Sequence, residues 1–123
     1  MTSPSPATDG ARDLRHDYLV ALDEWEVAAR QMRRAIDDSS AALSVLRRHV
    51  EDGGSIGEVP TIVAAQPLRS EMSSAIDQLE RSRHAAQRVL FTLLVEDGMS
   101  MADVGRVFGI SRSLVSRLVH EDS

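Results

Sequence analysis

Arg112, Ser113, Ser116, Arg117 and His120 lie near the C-terminus, at spacings that a helix gathers on one side. Such a group suits recognition of anions and base edges, not bond making. A guanidinium is always charged and presents a rigid fork of donors. Arg112 or Arg117 can therefore pair with the O6 and N7 of a guanine through two hydrogen bonds. Ser111 and Ser113 stand where a helix would begin. Free backbone N–H groups at such a place favour phosphate. Arg106 adds a further contact to a nucleic-acid backbone. Arg81, His84 and Arg88 share one face of an earlier helix and could extend a phosphate track.

No competing chemistry is legible. His16, His49, His84 and His120 have no ligand-like spacing, so no metal site is expected. Asp23-Glu24 and Asp37-Asp38 are neighbours on an expected helix and point in different directions, which reads as solvated surface. There is no glycine-rich phosphate loop or nucleophile elbow. With no cysteine, thiolate sites and disulfides are excluded. Neither catalysis nor a cofactor is expected.

The positioning elements can be read around these side chains. Ser100 and Asp103 form a capping-box-like pair ahead of a short helix. Met101, Val104 and Phe108 share one face of that helix. Gly105 is small where two helices must cross closely, and Gly109 permits the positive φ of a tight turn. Ile110 fills the space under the turn. Ser111 can cap a second short helix, which Val115 and Leu118 anchor, with Val119 extending the contact. With Met101 as the first position, apolar residues fall fourth, eighth, tenth, fifteenth and eighteenth, a small residue fifth and glycine ninth.

This pattern resembles the helix-turn-helix of DNA-binding proteins. It is most similar to the C-terminal DNA-binding domain of resolvases and invertases and to region 4 of sigma factors. The resemblance covers about 35 residues. It implies that a preceding helix, roughly residues 86–97, completes a trihelical core. It also implies that the second short helix enters the major groove of double-stranded DNA. The fifth position is usually alanine in that family and is Gly105 here. No basic arm and no recombinase catalytic domain is legible, so the resemblance implies binding alone.

The rest of the chain must present that motif. It has 123 residues, 42% of them apolar and 3% aromatic, which points to an all-α protein with a core of Leu, Val, Ile, Ala and Met. All 14 basic residues are arginine, a bias typical of a GC-rich bacterial coding genome. The net charge is −5, and most of the excess acid lies in residues 1–60. The last 24 residues carry three acids and three arginines, so local phosphate binding is compatible with an acidic remainder. No apolar run is long enough for a membrane span, and a cytoplasmic, nucleoid-associated location is the expectation.

Residues 1–10 read as a disordered N-terminus, with Thr8 or Asp9 as a cap for the first long helix. From 11 to 52 a heptad runs through Tyr18, Leu22, Trp25, Met32, Ile36, Leu43 and Leu46. A helix of ~40 residues spans ~60 Å and must lie against another long helix, from this chain or from a second copy. These seven residues are the expected dimerisation seam. Residues 53–66 read as a loop that includes Gly53, Gly54 and Pro60, with a short helical turn near 61–66 allowed. A second helix is expected from Pro67 to Asp97, with apolar positions Leu68, Met72, Ile76, Leu79, Ala86, Leu90 and Leu93.

The expected architecture is thus all-α: a long antiparallel helical hairpin or coiled-coil stalk over 11–97, then a trihelical helix-turn-helix over 86–123. The expected function is a small homodimeric transcriptional regulator that reads double-stranded DNA. The alternative is an interaction protein that binds a transcription or replication component through its acidic helical region.

Overall fold

The computed structural model describes residues 6–121, and from 13 onward it describes side chains as well. Residues 1–5, half of the expected disordered N-terminus, lie outside the described residues. All regular structure among the described residues is helical: α1 Pro6–Glu51, a 3-10 turn Ile56–Glu58, α2 Val59–Ile62, α3 Ala65–Glu96, α4 Met101–Phe108 and α5 Arg112–Val119.

α1 starts earlier than the sequence suggests. Pro6 opens it, a position where the missing N–H costs nothing. Residues 6–10 are therefore helical, and Thr8 and Asp9 lie inside the helix instead of capping it. No further proline occurs before Pro60, so the helix runs uninterrupted for 46 residues. It ends in a Schellman motif: the Gly54 N–H donates to the His49 carbonyl at 2.8 Å and the Gly53 N–H to that of Val50 at 3.1 Å. The His49 ring folds over this end, its Nε2 2.7 Å from the Ser55 carbonyl oxygen.

The segment read as a loop over 53–66 is mostly helical turns, and they come earlier than the turn expected near 61–66. Pro60 sits in the first turn of α2. Ala64, at φ 48°, breaks the path before α3. α3 then begins at Ala65, two residues ahead of Pro67. Proline is tolerated there because the first four N–H groups of a helix have no partner within it.

The chain divides into two compact units, one comprising residues 26–81 and the other Met1–Trp25 with Ser82–Ser123. In the 26–81 unit the chain reverses between α1 and α3, and the Asp38 carboxyl lies close enough to that of Glu71 to raise its pKa. The buried residues here are small: Ala28 and Ala35 are each 1% exposed, and Ala75 faces inward from α3. Small side chains let two helices approach closely. The heptad reading placed large side chains on this seam. Met32 and Leu46 are indeed half-buried, but Ile36 is 51% exposed and Leu43 65%. The alanines one residue before them take the seam, and Ile36 and Leu43 stand on the helix flank. Ile76, one of the apolar positions read for α3, is exposed as well.

In the other unit Ala21, Ser82 and Ala86 are buried along the long helices, with Tyr18, Leu22 and Trp25 half-buried. The end of α3 and the two short helices bury larger groups. Phe91, Val104 and Val115 have no measurable exposure, and Leu118 is nearly covered. Leu94, Val95, Met99, Met101, Ile110 and Leu114 surround them.

Candidate nucleic-acid interface

The C-terminal cluster holds its side chains by a chain of local constraints. α3 ends at a second Schellman motif, in which the Met99 N–H donates to the Leu94 carbonyl at 3.0 Å. Met99 and Leu94 both pack on the core, the hydrophobic contact that accompanies this motif. The Ser100 hydroxyl oxygen then accepts the Asp103 N–H at 3.1 Å and starts α4. The Ser111 oxygen accepts the Leu114 N–H at 3.1 Å and starts α5 in the same way.

Two glycines fix the angle between α4 and α5. Gly109 adopts φ 71°, ψ 32°, the left-handed conformation that glycine takes without a steric penalty. The Ile110 N–H reaches back to the Gly105 carbonyl at 2.9 Å. At Gly105 itself a Cβ would stand 2.6 Å from the Ile110 carbonyl oxygen. Alanine costs less than glycine in an isolated helix by ~1 kcal/mol, but here the backbone of the turn occupies the methyl's place. This explains the departure from the alanine that the resembled family uses. The Phe108 and Phe91 rings meet at 4.8 Å between centroids with a 59° tilt, which ties the end of α4 to α3.

Val115 and Leu118 point into this core, so the remaining positions of α5 point out. Arg112, Ser113 and Arg117 are exposed, and neither guanidinium makes an ion pair or hydrogen bond within the chain among the described residues. The other candidate residues are more engaged. Arg106 pairs with Asp103 on its own helix. The Ser111 oxygen is used as a cap. Ser116 is half-buried, and its carbonyl oxygen lies 2.8 Å from the His120 Nδ1, so His120 folds back on the end of α5.

The track expected along α3 divides. Arg81 pairs with Asp77 at 2.7 Å and belongs to the 26–81 unit. In the other unit, His84 lies 3.1 Å from Glu121 Oε1 and Arg88 3.8 Å from the same oxygen. This trio connects the residue just beyond α5 to α3. Arg88 is largely covered and lines a groove of about 420 Å³ together with Asp17, Glu24, Val89, Val119 and Glu121. Three carboxylates on that groove repel phosphate, which leaves the outward side of α5 as the cationic surface of the C-terminal region.

Sequence reading missed two features. Phe91, at the centre of the core, is off the heptad positions chosen for α3. The signal was the run VLFTLLV over 89–95, apolar on every side and thus a helix covered from several directions. The role of Glu121 as partner of His84 and Arg88 has no sequence signature. Comparison with protein-family models, with curated proteins and with solved structures finds no match for this chain.

Proposed function

We propose that this protein binds double-stranded DNA through a helix-turn-helix formed by α4 and α5, completed to a trihelical domain by the end of α3. In this reading α1 and α3 form an antiparallel hairpin stalk, and two copies associate so that two recognition helices act together. The observation that carries it is the pair of exposed, unpaired guanidiniums of Arg112 and Arg117 on a helix capped at Ser111 and anchored by Val115 and Leu118. A recognition helix acts with its N-terminal residues in the major groove, which is where Arg112 and Ser113 stand. Regulation of transcription at the nucleoid is the role that fits a helix-turn-helix that reads base edges. No helix of the described residues is long and apolar enough to cross a membrane.

The test is a gel shift with random genomic fragments, followed by enrichment of bound sequences. Wild-type protein is expected to retain DNA, and to lose it steeply as salt rises because counterions are released. Arg112→Ala is expected to cost ~1–3 kcal/mol and to relax the preference at one base position. The Arg112→Ala/Arg117→Ala double variant should abolish retention with its helical content intact. Equal binding by wild type and double variant would refute the reading. The rival, a partner protein held by the acidic helices, draws support from the exposed apolar residues of α1, and capture of such a partner without DNA retention would favour it.

A further inference from the structure

We infer that Glu121 is a positioning residue for α5: through His84 and Arg88 it fixes the last turn of that helix, which carries Arg117, against α3. The consequence for DNA rests on the binding proposed above, whereas the fastening itself does not.

α5 ends differently from α1, α3 and α4. Each of those three stops at a glycine of positive φ: Gly53, Gly98 and Gly109. Such a residue lets the backbone alone close the last turn of a helix. α5 has no glycine after Arg112, and its C-cap, His120, sits at φ −95°, ψ 2°. The Glu121 N–H reaches the Leu118 carbonyl only at 3.4 Å. Leu118 is also the last buried residue, with Val119 half-buried and His120 exposed. Backbone and core therefore hold the start and middle of α5 more firmly than its end.

Side chains supply what the end lacks. The two Glu121 carboxylate oxygens lie 3.1 and 3.2 Å from the His84 Nε2, and one of them lies 3.8 Å from the Arg88 guanidinium. His84 and Arg88 are one turn apart on α3, so both reach the same carboxylate from one face. The other surroundings of Glu121 are unfavourable. A negative charge just beyond a helix C-terminus opposes the helix dipole. Asp17 and Glu24 of α1 line the same groove and repel it. His84 and Arg88 offset these costs. The Arg88 side chain is only 19% exposed, so solvent screens its attraction for Glu121 less than that of a surface pair.

The sign of the effect on DNA separates this role from plain electrostatics. A carboxylate beside a DNA-binding helix repels phosphate, so its removal alone should strengthen retention. If Glu121 holds the last turn of α5, its removal should weaken retention, because Arg117 is then less often in place.

The test compares wild type with Glu121→Ala, and repeats that change in a His84→Gln/Arg88→Gln background. Amide hydrogen exchange, followed by NMR without DNA, should quicken about threefold at Leu118, Val119 and His120 in Glu121→Ala, with α4 unchanged. Affinity for DNA at fixed salt should fall by a similar factor, although a negative charge has been lost. In the His84→Gln/Arg88→Gln background the same change should neither quicken exchange nor weaken DNA binding, since its partners are gone. Unaltered exchange in Glu121→Ala, DNA binding as tight as wild type or tighter, or equal losses in both backgrounds overturns the inference. Wild type that retains no DNA refutes the DNA reading instead, and exchange in the two backgrounds then decides this one.

Discussion

The C-terminal cluster and the 26–81 unit bury apolar surface by opposite means. The first covers one phenylalanine and two valines completely within about thirty residues. The second covers alanines and leaves Ile36, Leu43 and Val50 in water. Large side chains without exposure give a short segment enough contact to hold a fixed shape. An alanine seam brings helices close but removes little apolar area from water, so it supplies less of the driving force. The cluster is thus built as a rigid platform for α5, whereas the helix pair holds together with less apolar burial of its own.

The largest expected effect breaks the platform. Phe91→Ala removes the central ring and its contact with Phe108, and should cost ~3–5 kcal/mol. That is a large share of the ~5–15 kcal/mol typical of a folded domain. Urea unfolding followed by circular dichroism measures it. Leu43→Ala, assayed at concentrations too low for association, should change stability by less than ~0.5 kcal/mol. If the two variants unfold at the same urea concentration, the contrast between the regions is void.

A smaller effect sharpens the geometry of the platform. Gly105→Ala gains ~1 kcal/mol of helix propensity but forces a methyl against the Ile110 carbonyl oxygen. The obstacle is backbone, which cannot rotate away, and overpacking of this kind costs ~1–3 kcal/mol. Net destabilisation is expected, with weaker DNA retention because the crossing of α4 and α5 opens. A variant that melts at or above the wild-type temperature would show that the close crossing is not required.

The same contrast decides what was legible in the sequence. In the C-terminal region the signals were stereochemical and local. Gly98 and Gly109 end helices, Ser100 and Ser111 start them, and Val104, Val115 and Leu118 are the large residues that the short helices bury. Each has one physical outcome, so the turn and both caps could be read directly. Along α1 two stripes repeat every seven residues, the alanines and the large residues beside them. Periodicity marks both and does not say which meets α3. Reading by size favoured Ile36 and Leu43, but close helix approach selected Ala28 and Ala35. Of the candidate site, Arg112, Ser113 and Arg117 are presented as expected. The ties of His84 and Arg88 were hidden because their partner, Glu121, comes near them only in the fold, whereas Arg106 and His120 are tied to Asp103 and Ser116 on their own helices.

The mildest prediction concerns the other side of the helix pair, where Asp38 meets Glu71. The Glu71 carboxyl is held above its ordinary value, first because it shares a hydrogen bond with Asp38 and then through slight desolvation and repulsion from that carboxylate. A raised value in the folded state means that the fold binds this proton more tightly than the unfolded chain does. The stabilisation is therefore complete below the ordinary carboxylate range and is lost as pH rises through the raised value. At neutral pH two carboxylates are left side by side. Glu71→Gln keeps a donor for Asp38 at every pH and removes that repulsion. It should melt slightly higher than wild type at pH 7 and show no advantage in acid, with a flatter dependence between. A lower melting temperature for Glu71→Gln at pH 7 would mean that the ionised pair is not a cost. The side opposite the Ile36–Leu43 stripe would then need a different electrostatic account.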